Sequence, residues 1–437
     1  SADFNVTADG MGNPNGIDFF NSTTDYLFVA DTDSSRVLVY DLGTDASGVT
    51  TGESASRVLG QPDFVTSSFD TTASKLYGPA DVVANSDGSN NYLYVADSGN
   101  NRVVVYNIDV IVNGENGVYF LGQEDGVSAN IDCVFGASAL CIPVSLDVQV
   151  QGESHTLWVS DSVHNRIVGF SIKPVPSVLE LTYVFGHNDL DGSSTSGTVF
   201  TSTPTYINYF STTEQLFVSG DNDHRVVVFD VSAPTNGDTA TDVYGQISSG
   251  EINLTSTENY YPFNNEISAT GLDIEGNSSH TFVDTVNHKM YVSDSANNRV
   301  LVYNLSSSNI PLDRTADNVL GQCNFNSNSP SDTGSQYFDG PTGLAMYDSG
   351  ATQMLFVSDT GNNRILVFNV TSITDCEPAV NVLGQGDFNS STPRIDDMGF
   401  TSPQGIDVTI KGSEAYLFVA DTGSNRVLAY NVKTVVD

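Results

Sequence analysis

The chain has 437 residues, with 53 Asp plus Glu against 15 Lys plus Arg and a formal net charge of −38. It cannot assemble the basic face that nucleic-acid binding by counterion release requires. Hydrophobic residues make up 39% and aromatic residues 10%, enough for a large core in spite of the acidity, and no run of apolar residues is long enough to span a membrane as a helix.

Asp accounts for 41 of the acids and Glu for 12. Asp favours turns whereas Glu favours helix surfaces, so a loop-rich, helix-poor chain is expected. A start at Ser1 fits a processed mature chain and equally a cropped one.

One block recurs along the chain: LFVADTDSSRVLVYDL from Leu27, LYVADSGNNRVVVYNI from Leu93, LWVSDSVHNRIVGFSI from Leu157 and LFVSGDNDHRVVVFDV from Leu216. It returns as MYVSDSANNRVLVYNL from Met290, LFVSDTGNNRILVFNV from Leu355 and LFVADTGSNRVLAYNV from Leu417. Each copy holds two β-branched or aromatic runs around a polar turn, the pattern of a β-hairpin. A preceding strand is predicted after Pro14, Pro79, Pro143, Pro204, Pro341 and Pro403, and after Ala269 in the fifth copy, ahead of Gly271, Leu272 and Asp273. A following strand reads VLGQ at Val58, FLGQ at Phe120, VFGH at Val184, VYGQ at Val243 and VLGQ at Val319 and Val382.

The unit is thus a four-stranded antiparallel meander. A sheet with two apolar faces needs a neighbour on each side, and seven such units imply an all-β, seven-bladed β-propeller. One domain over 1–437 is expected, with blades at about 14–61, 79–123, 143–187, 204–246, 269–322, 341–385 and 403–437. The succession G-[IL]-D, L-[FY]-V-[AS]-D, N-R-[VI]-L-V-[YF] and V-L-G-Q resembles NHL repeats. The resemblance covers essentially the whole chain, although six blades are also common in that family and these repeats are longer than usual. Some six-bladed NHL-type enzymes hold metal-bound His across the channel, and no such constellation is recognisable here.

The last blade lacks its own outer strand. Ser1-Ala2-Asp3-Phe4-Asn5 aligns with Gln385-Gly386-Asp387-Phe388-Asn389, just past the VLG of blade six, one residue too late to supply it. Either Phe4 to Ala8 shift register and pair with that edge, or the edge is left for another chain to complete.

The most repeated charged pair is an Asp with Arg five residues on: Asp31 and Arg36, Asp97 and Arg102, Asp161 and Arg166, Asp294 and Arg299, Asp359 and Arg364, Asp421 and Arg426. The fourth copy has Gly220 beside Asp221, with Arg225. A catalytic pair has no reason to recur in every hairpin, whereas an ion pair stapling a turn does. Asp18, Asp147, Asp273 and Asp407, with Asn208, recur on the innermost strand, where Val83 and Ala345 break the set. They are candidates for a Ca²⁺ ring through oxygen ligands, or for bonds to backbone groups at blade junctions. No cofactor is required by any motif.

The six His, at 155, 164, 187, 224, 280 and 288, are scattered through blades three, four and five and read as surface substitutions within the repeat. Cys133 and Cys141 favour a local bridge; Cys323 and Cys376 are candidates for a cross-blade staple, with free buried thiols as the alternative. Sequons at Asn5, Asn21, Asn253, Asn277, Asn304, Asn369 and Asn389 are no more than composition gives by chance. Even, sparse Cys and scarce Lys point to an extracellular or cell-surface setting.

Connections from each fourth strand to the next blade are long and carry aromatics such as Phe64, Phe69, Tyr337, Phe338 and Phe400, marking a self-packed lid or a recognition surface. Two functions follow. One is a non-enzymatic scaffold whose partner is itself, as a homo-oligomer or polymer, or another protein. The other is a secreted lyase or hydrolase acting on a saccharide or peptide at the channel.

Overall fold

The computed structural model describes residues 10–43, 54–123, 126, 133, 139–173, 181–186, 200, 203–220, 225–245, 272, 280–310, 312–329, 333–396, 398–411 and 414–436. The fold is a seven-bladed β-propeller built almost without helix. Blade one comprises Pro14–Phe20, Tyr26–Asp31, Arg36–Asp41 and Arg57–Leu59; blade six, Pro341–Asp348, Gln353–Asp359, Arg364–Asn369 and Asn381–Leu383. Six sheets have four strands and the seventh three, hydrogen-bonded in chain order.

Register follows directly from the repeat. In blade one Asp31 faces Arg36 across the hairpin and Leu38 faces Val58 of the fourth strand. The residue before the repeat Arg is left-handed in six blades: Ser35, Asn101, Asn165, Asn298, Asn363 and Asn425 have φ between 52° and 56°, and His224 of the fourth blade lies outside the described residues. Asn tolerates that conformation better than other side chains do, which accounts for the N-R signature. The glycine closing each fourth strand is left-handed too, and in blade six a Cβ on Gly384 would meet Phe400 Cδ2 at 2.1 Å.

The chain divides into two compact units: residues 1–207, 234–239 and 425–429, and residues 208–233, 240–424 and 430–437. In the first, Val104 and Tyr106 pack with Phe28, Val37 and Leu59, whereas Val103 and Val105 pack with Leu146, Val159 and Phe170. Alternate residues of one strand therefore serve two different cores, as the period of two requires. In the second, Leu301 and Tyr303 join Phe217 and Val228, and Val300 and Val302 join Leu344 and Leu355.

Blade five departs from expectation. Its described first strand is Thr281–Asp284, and Leu272 instead donates its amide to Gly245 O, as Leu76 does to Gly60 O in blade one. Leu272 is thus a buried plug of the entering loop, ahead of the described strand. Asp273 lies outside the described residues, and Phe282 holds the register position opposite Tyr291 that Asp18 holds opposite Phe28.

Blade seven has Pro403–Lys411, Glu414–Asp421 and Arg426–Asn431, then a short helix, Val432–Val436, whose Val435 carbonyl accepts Asn381 Nδ2 of blade six. Residues Phe4 to Ala8 lie outside the described residues.

Candidate functional site

The repeat arginines are the largest polar groups in the cores: Arg36, Arg102, Arg166, Arg299 and Arg364 are all fully buried. Each donates Nε to the Asp of its own hairpin at 2.6–2.7 Å. Arg225 is also buried, while Asp221 lies outside the described residues. Asp421 is buried and accepts the Thr401 amide at 2.6 Å; Arg426 is only half-buried.

The guanidinium ends hold loops. Arg364 Nη1 donates to Phe388 O in the loop leaving blade six, and Nη2 donates to Gly334 O and Tyr337 O in the loop entering it. Arg102 does the same with Gly126 O on one side and Thr72 O and Lys75 O on the other. The paired carboxylate's second oxygen accepts a loop amide, Tyr77 N for Asp97 and Asp339 N for Asp359. Asn100 and Asn362 add their side-chain amides to the same carboxylates. Burial raises the Asp97 carboxyl above its ordinary value and Arg102 opposes the rise.

The Gln ending VLGQ completes the scheme. Gln61 Nε2 donates to Ser35 O and Ser68 O, Gln322 to Asn298 O and Ser329 O, and Gln385 to Asn363 O and Thr392 O. One amide thus pins the left-handed residue and the loop seven residues on. The left-handed side chain binds the next blade's start: Asn101 Oδ1 accepts Ile142 N, Asn298 accepts Gly340 N and Asn363 accepts Ser402 N. Asn425 accepts Asn13 N at 2.8 Å in the same manner.

These anchored loops present apolar side chains to solvent. In the first unit Val65 is 70% and Phe69 64% exposed, with Phe69 stacked on Tyr77 at 4.5 Å. In the second, Ile395 is 81% and Met398 72% exposed. Phe338 and Phe400 are fully buried plugs.

The first-strand acids bond to backbone. Asp18 Oδ2 accepts Ala84 N of the next blade, and Asp147 Oδ1 accepts its neighbour Val148 N. Asp407 is raised by burial, against the Val408 amide. Asp81 stands where blades one, six and seven have Gly16, Gly343 and Gly405 and was hidden from a repeat-based reading; it accepts Leu146 N at 2.8 Å. Its carboxyl is pushed up to about 7 by burial first, with the Asp147 charge adding to it. Among the described residues no group of three or more His, Cys, Asp or Glu is placed to hold a metal ion.

Two histidines are not surface substitutions: His155 and His164 are buried. His164 stands in for Asn100 of blade two, with Nδ1 at 2.9 Å from Asp161 Oδ2 and Nε2 at 3.1 Å from Cys133 O. A copy that keeps the carboxylate partner but changes the donor gave no burial signal in sequence. Cys133 is bridged to Cys141 and Cys323 to Cys376, and no free Cys remains. Two disulfides suggest an oxidising environment.

No protein-family model and no curated protein matches the chain. It is similar to the crystal structure of a functionally unknown protein from Desulfotomaculum acetoxidans DSM 771, at 11% identity, with 90% of this chain and 92% of that one covered and a TM-score of 0.49.

Proposed function

We propose that this protein is a non-enzymatic, extracellular interaction scaffold of NHL-type repeats that binds other proteins, including copies of itself, through its interblade loops. The observation that carries the reading is the loop anchoring. Arg, Asp, Asn and Gln of the repeat are spent on holding loop backbone, and the loops so held keep large apolar side chains in solvent. A preorganised loop with exposed Phe, Ile and Met loses little entropy on binding, as a recognition surface needs. The disulfides support an extracellular setting, and the charge of −38 makes association depend on screening by salt or cations.

Light scattering and negative-stain microscopy over a range of protein and salt concentrations test this. Concentration-dependent association is expected, weakened by Phe69→Asp or Met398→Asp. Monomers at every concentration, together with unchanged pull-down of surface proteins by both variants, would sink the reading.

A further inference from the structure

The two disulfides stand in different settings. Cys141 is buried, its amide donates to Asp161 Oδ1 at 2.7 Å, and the Cys133 carbonyl lies 3.1 Å from His164 Nε2, so this bridge belongs to the anchored loops of blade three. Cys323 is exposed and Cys376 half-buried, and they join the residue after the Gln of blade five to a turn of blade six.

That turn belongs to a recurring set. In blades two, four and six a tight turn after the third strand reaches back to the outer strand of the preceding blade. Residues 112–115, 235–238 and 374–377 are each closed by a bond from the fourth residue's amide to the first residue's carbonyl. The second residue gives its side-chain oxygen to the neighbour: Asn113 Oδ1 accepts Val58 N and Asn236 Oδ1 accepts Val184 N at 3.0 Å, and Asp375 Oδ1 accepts Val319 N at 3.1 Å. These valines stand in the fourth strands Arg57–Leu59, Leu181–Phe185 and Asn318–Leu320, so the turns occupy groups that would otherwise line an open sheet edge.

The third residue of each turn is left-handed: Gly114 at φ 67°, Gly237 at 77° and Cys376 at 67°. The two glycines complete the cap by donating their amides to Val58 O and Val184 O. No such bond joins Cys376 to Val319 among the described residues, and the disulfide to Cys323 takes its place. A residue with a Cβ resists positive φ, so the covalent bond holds Cys376 in a conformation that glycine adopts freely. Of these three caps, that of blade five is the one whose second tie can be cut by chemistry and whose backbone relaxes once it is cut.

We propose that Cys323–Cys376 is a thiol–disulfide exchange site at which a dithiol reductant uncaps the outer strand of blade five, while Cys133–Cys141 stays closed. A thiolate of the reductant attacks the sulfur of Cys323, the more exposed residue; the S–S bond breaks and Cys376 leaves as a thiolate that takes up a proton. The reductant's second thiol then attacks the mixed disulfide and expels Cys323. Two electrons and two protons pass to the protein, and the dithiol closes to a disulfide. With the tie gone, Cys376 relaxes from positive φ, the turn withdraws, and the exposed Asp375 releases Val319 N to solvent. The inference does not depend on the loop surface proposed above.

The probe is dithiothreitol, applied to the folded, oxidised chain without denaturant and followed by alkylation and peptide mass spectrometry. Cys323 and Cys376 should become alkylated at least about tenfold faster than Cys133 and Cys141. Hydrogen exchange of the reduced protein should quicken at least about tenfold in residues 318–322 and 371–380, with residues 57–59 and 111–117 unchanged. Cys323→Ser with Cys376→Gly rebuilds the cap of blades one and three, so its exchange in residues 318–322 should stay slow and indifferent to the reductant. Cys323→Ser with Cys376→Ser should exchange as the reduced protein does. Equal alkylation rates, or unchanged exchange in residues 318–322 after reduction, would overturn the inference. So would equal exchange in the Gly and Ser variants, or loss of protection throughout the chain, which would make the bond a global staple instead of a local tie.

Discussion

Replacing Arg364 by Met removes the anchor of two loops in one step. The side chain donates to Asp359 at 2.6 Å, to Phe388 O at 2.5 Å and to Gly334 O and Tyr337 O at 3.0 Å each, and Asp359 is fully buried. Leaving a buried carboxylate unpaired costs about 3–5 kcal/mol. The three carbonyls lie where the loops can part and rehydrate, adding at most about 1 kcal/mol each. A loss of about 3–8 kcal/mol is a large share of a typical folding free energy of about 5–15 kcal/mol. Urea unfolding measures the loss, and hydrogen exchange locates it. Protection should fall first in residues 333–340 and 386–402, on both sides of blade six. Adding Asp359→Asn removes the stranded charge while an oxygen remains for the Asp339 amide, so the double variant should recover about 2 kcal/mol or more. A loss below about 1 kcal/mol, or exchange unchanged in both loops, would refute the assignment of Arg364 as a loop anchor.

Asp81 has its carboxyl raised to about 7, so the folded state holds that proton more tightly than the unfolded chain. Its contribution is full below about pH 4, the ordinary Asp range, and is lost as pH rises through about 7. Asp81→Asn should flatten the stability-versus-pH curve over that window; superimposable slopes for the two proteins would count against it. Replacing the Cys323–Cys376 pair by Ser, which opens a loop of separation 53, should cost about 4 kcal/mol, against about 2.5 for Cys133–Cys141 with separation 8. Chemical denaturation of the two double variants checks the order. Gly321→Ala places a Cβ 1.9 Å from Phe338 Cδ2 at a φ of +82°, so a drop of about 1–3 kcal/mol is expected in the same assay.

The hairpins were legible because strand period, left-handed Asn and Asp-to-Arg spacing all repeat, and repetition averages away local ambiguity. What repetition hides are positions where one copy departs. Asp81 sits where blades one, six and seven have Gly, His164 where blades two, five and six have Asn, and their burial depends on neighbours that no alignment of the copies records. Blade five failed for a related reason. Gly271-Leu272-Asp273 mimics the G-I-D of a first strand, and only the Leu272 bond to Gly245 reveals a plug. The loop-holding role of Arg and Gln was equally invisible, because their partners are backbone carbonyls, which have no identity in a sequence.

The arginines also separate two kinds of unit. Covalent repetition runs from a first strand to a fourth, but the guanidinium groups of Arg36, Arg102 and Arg364 tie the loop ahead of their blade to the loop behind it. The piece that comes loose when one hairpin is damaged is therefore out of phase with the piece that gene duplication copies, reaching half a repeat in either direction. A protease given access by one such lesion should release fragments whose ends fall in two successive loops, rather than excise a single sheet.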